Sequence, residues 1–138
     1  PGKTYRVFAP PVSVETLTGQ IRDLARQIRA TSIITHGSGG EYWHPAHLLA
    51  HSAVLRACKG KIPVLTLHAW QPGHPLPTML NRDDPADLII DGTPHREKRL
   101  AALRAHRSQT NYFVKLGEGT LEGFLDRVPK EGFRYYPV

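Results

Sequence analysis

From Val14 to Ile28 the apolar residues Val14, Leu17, Ile21, Leu24 and Ile28 recur at steps of three and four. That spacing predicts one helix with a single apolar stripe, and Ser13 stands where an N-cap belongs. Gly19 sits off the stripe. The pattern then changes. TSIITHG (31–37) is a short β-branched run ending in glycine, read as a strand that enters a loop. HPAHLLAHSAVLRACKG (44–60) predicts a second helix, with Pro45 at the first helical position and Gly60 as its stop. PVLTLHAW (63–70) and ADLIIDG (86–92) are further strands. Between them, residues 71–85 carry four of the twelve prolines and read as an excursion without regular structure. TPHREKRLAALRAHRSQ (93–109) predicts a third helix with Thr93 as N-cap, Pro94 next and Glu97 placed for a capping box. The remaining tail is rich in Gly and Pro and reads as loop, with FRYYPV (133–138) as a last strand; YRVFA (5–9) is a first one.

Helices alternating with short apolar strands predict an α/β sheet with helices on both faces. In open sheets of that kind ligands bind outside the carboxyl ends of strands. The stretch THGSGGEYWHPAHLLAH (35–51) falls at such a position, and it holds three of its glycines beside a Tyr-Trp pair and four of the eight histidines.

Composition narrows the function classes. The 138 residues suffice for one domain, and 40% hydrophobic with 22% charged is a globular balance. No apolar run reaches the length of about 18 residues that a membrane span needs. Cys58 is the single cysteine, which excludes an intrachain disulfide and fits a reducing, cytoplasmic setting. The net charge of +6 invites a nucleic-acid reading. However, Arg22, Arg26 and Arg29 lie on one helix and Arg96, Lys98, Arg99, Arg104 and Arg107 on another, which reads as two solvated helix faces.

His44, His47 and His51 fall at i, i+3 and i+7 of the second helix. Imidazole is a common zinc ligand, but a lone H-x-x-x-H pair arises readily by chance, and a solvent-facing or packing His51 is the plainer reading. His44 and His47 stand at the helix start, where free backbone N–H groups favour an anion or a developing oxyanion. Gly37, Gly39 and Gly40 allow close approach to a ligand, or simply a strand-to-helix turn. Tyr42 and Trp43 either line a sugar or aromatic pocket or cover the helix end. Glu41 is the nearest carboxylate, yet the spacing places no acid beside His47.

GEYWHPAHLLAHSAVLRA resembles the second signature of the PIG-L/LmbE-like zinc-dependent N-acetylglucosaminyl deacetylases, roughly G-x-G-H-P-D-H before a helix. REKRLAALRAHRSQ resembles that family's K-x-x-A-L-x-x-H-x-S-Q helix. Together the matches span about residues 31–110. The resemblance implies a Rossmann-like, mostly parallel sheet and zinc-dependent removal of the acetyl group from a GlcNAc-type sugar conjugate. It implies His47 as zinc ligand and His44 as the charge-stabilising catalytic histidine, with Tyr42 matching a tyrosine found there in some members; Gly40 and Trp43 are the candidate substrate contacts. Arg107 with His106 would complement the end of the 93–109 helix, while Ser108 and Gln109 would tie that end to the site loop.

The family's first signature, A-H-P-D-D-E, is absent, and Ala46 stands where H-P-D-H has its aspartate. The chain is therefore either the C-terminal part of a deacetylase domain whose first strand lies upstream, or a degenerate relative that keeps a sugar-shaped pocket without turnover. Zinc is expected to bind weakly or not at all to this chain alone. An exposed sheet edge would favour self-association. His44, His47 and Tyr42 are expected to share one concave, partly open pocket, with Trp43 beside it and outside the core.

Overall fold

The computed structural model describes residues 11–138. The strand expected at 5–9 lies outside them. Helix α1 (Val14–Gln27) begins as expected, with the Ser13 hydroxyl accepting the Thr16 N–H. Only part of the large-residue stripe turns inward: Val14, Leu17 and Ile21 are partly buried, and Ile21 packs on the core. Leu24 and Ile28 remain 56% and 65% exposed, whereas Thr18 and Ala25 are buried. Small residues win because α1 lies close against α3 (Pro45–Cys58), whose Ala53 and Ala57 are also buried. Thr18 Oγ1 donates to the Ala53 carbonyl across that contact.

Strands β1 (Ile33–Thr35) and β2 (Val64–Thr66) pair in parallel. Beside β2 lies β6 (Lys130–Tyr136), antiparallel, and then β5 (Leu88–Asp91), antiparallel again. The order β1-β2-β6-β5 makes the sheet mixed, which corrects the mostly parallel expectation. The reason lies in the tail. KEGFRYY runs back through the middle of the sheet between β2 and β5, burying Gly132 and Phe133. Val54, Ala57, Cys58 and Val64 form the core, with Ile21, Ile33 and Tyr136 packed around them.

Three segments read as irregular are ordered. The polar stretch Asn81–Pro85 is strand β4, parallel to β3 (Ala69–Trp70). The tail forms α5 (Thr110–Leu116) and α6 (Leu121–Arg127), the latter capped by Thr120. Gly117 and Gly123 belong to that packing, since a Cβ on either would strike backbone atoms of the other turn. Helix α4 runs only from Arg96 to Ala105. Thr93 does not cap it; the Thr93 N–H donates to the Asp91 carboxylate, and Thr93–His95 is a 3-10 turn. No helix among the described residues is long and apolar enough to cross a membrane. Val64→Ala should lower stability by about 2 kcal/mol through the cavity it leaves, read as a lower denaturant midpoint at unchanged slope.

Candidate active site

The loop after β1 turns back on itself over Gly37–Gly40 and closes in a single distorted turn, α2 (Gly40–Trp43). Gly40, Glu41 and Trp43 all have positive φ, and Glu41 stands at φ 60, ψ −61. Such conformations cost a non-glycine residue of the order of 1–3 kcal/mol, so the surroundings must hold them. Asn81, only 1% exposed at the start of β4, does much of this. Its Oδ1 accepts the N–H groups of Gly39 and Glu41, both at 3.0 Å. Its amide donates to the Leu67 carbonyl at 3.0 Å and the His68 carbonyl at 3.3 Å. Asp84, buried on the same strand, accepts the Ser38 N–H at 2.7 Å. Gly37 is required because a Cβ there would collide with the Asn81 amide.

This loop delivers the Glu41 carboxylate, 3% exposed, between two histidines. Glu41 Oε2 lies 2.9 Å from His36 Nδ1 and 2.6 Å from His47 Nδ1. Oε1 accepts the Gly37 N–H at 3.1 Å and the Asn81 amide at 3.4 Å. Burial opposes the charge on Glu41, but the Gly37 N–H, the field of His36 and the hydrogen bonds from His47 and Asn81 outweigh it. The carboxyl group is held below its ordinary range. His36 is also held below its ordinary value, chiefly by burial, with Glu41 pulling the other way.

His47 lies in the first turn of α3, while His44 is its N-cap, with Nδ1 accepting the Ala46 N–H at 3.2 Å. The two rings stack with centroids 4.5 Å apart, and Tyr42 meets them edge-on at 5.8 Å and 5.5 Å. Tyr42 and Glu41 also border an open cleft of about 460 Å³, together with Trp43, Thr78, Arg82 and Asp83. His44 and His47 do not line that cleft themselves; they adjoin it through Tyr42 and Glu41. Trp43 is 73% exposed and outside the core. Gly40 is buried against His47 and Leu48. His51 turns inward, with Nδ1 2.9 Å from the His36 carbonyl.

The structure does not bring Arg107, Ser108 or Gln109 to this cluster. All three are exposed in a 3-10 turn beyond α4, and among the described residues no side-chain hydrogen bond ties them to the site loop. Conversely, His36, Glu41, Asn81 and Asp84 belong to the site and were not assigned to it from spacing. Glu41 corrects the reading that no acid stands beside His47: positive φ at Gly40 and Glu41 folds the chain back, an arrangement that helical spacing cannot express.

Ligand atoms of His36, Glu41 and His47 lie within 4.8 Å of one another, and nitrogen with carboxylate oxygen is a zinc-type donor set. The rings of His36 and His47, however, are parallel within 8° at 3.7 Å. Both Nδ1 atoms face Glu41 Oε2, which stands where an ion shared by those two nitrogens would sit. Glu41 already engages both Nδ1 atoms. If zinc bound here, His47 would be an imidazole donor, with the buried carboxylate orienting its ring from the far side.

The chain is similar to curated 2-acetamido-2-deoxyglucopyranoside deacetylases. It is 24% identical to 1D-myo-inositol 2-acetamido-2-deoxy-alpha-D-glucopyranoside deacetylase from Kineococcus radiotolerans over 69% of this chain and 36% of that one. With the protein of the same name from Thermomonospora curvata it shares 24% identity over 91% of this chain and 53% of the relative. With that from Thermobifida fusca it shares 28% over 70% and 45%. The chain thus spans about a third to a half of the length of these relatives. No family profile matches it.

Removing the Asn81 clamp should release the loop. Asn81→Ala leaves the Gly39 and Glu41 N–H groups without their acceptor and should cost at least about 2 kcal/mol. Thermal or denaturant unfolding measures this, and hydrogen exchange should accelerate first at residues 37–43.

Proposed function

We propose that this chain carries the histidine side of a zinc-dependent site that removes the acetyl group from a GlcNAc-type sugar conjugate. The observation that supports this best is the stack of His44 on His47 with Tyr42 edge-on to both, beside a cleft bordered by Tyr42 and Trp43. The similarity to deacetylases whose names specify a 2-acetamido-2-deoxyglucopyranoside points the same way.

In this reading His47 is a zinc ligand. Zinc, when bound, polarises the amide carbonyl and lowers the pKa of a coordinated water. The exposed Trp43 offers a flat apolar face to a pyranose ring in the cleft. Tyr42 and His44 stand where a carbonyl oxygen gaining negative charge can be hydrogen-bonded. Glu41 is not the proton acceptor: both its oxygens are engaged, by His36, His47, Gly37 and Asn81. The acidic signature A-H-P-D-D-E that supplies the proton acceptor in the resembled family is absent from this chain, so in this reading the chain by itself binds and orients but does not turn over. A non-catalytic sugar-binding relative is the second reading, supported by the absence of A-H-P-D-D-E and by Ala46 in place of the motif's aspartate.

Calorimetry with 1D-myo-inositol 2-acetamido-2-deoxy-alpha-D-glucopyranoside, with and without zinc, tests the proposal. With His47 as the one imidazole ligand zinc itself should bind weakly, and sugar binding should be stronger at saturating zinc. His47→Ala should abolish the zinc effect, and Trp43→Ala should weaken binding about fivefold, or ~1 kcal/mol. Sugar binding that ignores both zinc and His47→Ala favours the non-catalytic relative. No binding under either condition removes both readings.

A further inference from the structure

We propose that the site loop sets neighbouring histidines in opposite tautomers, so that His47 carries its proton on Nδ1 and presents a bare Nε2, while His44 carries its proton on Nε2. The roles this gives them, ligand and hydrogen-bond donor, rest on the deacetylase reading; the tautomers rest on the geometry alone.

A neutral imidazole has one N–H and one lone pair, and the partner of one nitrogen fixes the state of the other. For His47 that partner is Glu41 Oε2 at 2.6 Å. The same oxygen lies 2.9 Å from His36 Nδ1. A proton on Oε2 could serve only one of these rings, and the other nitrogen would then face the oxygen lone pair to lone pair unless it donated. Oε1 is occupied by two further donors, Gly37 N–H and the Asn81 amide. Four donors around one carboxylate are satisfied together only if it is ionised and both Nδ1 atoms carry hydrogen. In a neutral ring, His47 Nε2 is then left bare.

His44 faces the opposite constraint. The Ala46 backbone N–H, a free donor of the first turn of α3, points at His44 Nδ1 at 3.2 Å. A backbone N–H can only donate, so Nδ1 carries the lone pair and Nε2 the hydrogen. No carboxylate contacts the ring among the described residues. His44 thus offers a hydrogen bond to a developing oxyanion as a neutral ring, with no aspartate at position 46 to hold it charged. One distorted turn, 40–43, with the helix start behind it, makes an acceptor of one Nε2 and a donor of the other, in rings stacked at 4.5 Å.

Two histidines outside the cluster serve as references. His51 Nδ1 faces the His36 carbonyl and must donate, giving the His47 pattern. His74 Nδ1 accepts the Leu76 N–H, giving the His44 pattern.

Long-range nitrogen–carbon-proton correlation NMR on the histidine-labelled chain at about pH 8, above the ordinary histidine pKa of about 6.5, reads each ring nitrogen as protonated or bare. The expected spectrum shows Nδ1–H at His47 and His51 and Nε2–H at His44 and His74. The same tautomer at His44 and His47, or a mixture at either, overturns the proposal. In Glu41→Ala, with the His51 and His74 signals unchanged as the sign of a native fold, His47 should lose its single tautomer. A His47 that keeps Nδ1–H without Glu41 contradicts the proposed control. The wild-type spectrum decides the tautomers even if that variant does not fold. Zinc added to the wild-type chain is a separate arm: it should perturb His47 Nε2, and a silent His47 would remove the ligand role while leaving the tautomers standing.

Discussion

A buried carboxylate costs several kcal/mol unless its oxygens are fully hydrogen-bonded, and Glu41 is such a group. Its four donors come from His36 and Gly37 before it, His47 on α3 and Asn81 on β4. Each belongs to a different piece of the fold: the end of β1, the loop, the second long helix and the polar strand. Satisfying that one charge forces these pieces together. The same demand accounts for the positive φ at Glu41, because the loop must fold back to aim the side chain inward. Strain in the backbone is offset by the hydrogen bonds that only this conformation makes.

The polar strand Asn81–Pro85 is explained by the same requirement. It contributes no apolar side chain to the core, yet Asn81 and Asp84 are buried because their partners are backbone N–H groups of the site loop. The strand acts as a second wall for the loop, with β1 and α3 as the first. The placement of His44 and His47 follows from that enclosure, and their chemistry depends on how each ring nitrogen is engaged.

Much of this was legible from local pattern. The β-branched run before the glycines, Pro45 at a helix start, Ser13 as a cap and the pairing of His44 with His47 all follow from rules that act within a few residues. What escaped is non-local or conformational. NRDDP looks like loop because its burial is bought by hydrogen bonds and not by apolar contact. Leu24 and Ile28 look like core, but close approach of α1 to α3 selects Thr18 and Ala25. Glu41 lies six residues before His47, a separation no helix brings together, and only the left-handed turn does so. The mixed sheet was hidden because the direction of β6 is set by pairing with β2 and β5, which the glycine-rich tail does not announce. Arg107, Ser108 and Gln109 carried a plausible motif but sit on an exposed turn, with no side-chain hydrogen bond to the site loop among the described residues.

The central claim is that Glu41 organises the site from behind His47 and would not itself hold a metal ion bound there. A crystal structure of the zinc-soaked protein tests this most directly. The account predicts zinc on His47 Nε2, with the Glu41 carboxylate still on His47 Nδ1 and His36 Nδ1. Zinc bound directly to a Glu41 oxygen, with the histidine rings swung apart to join it, would contradict it.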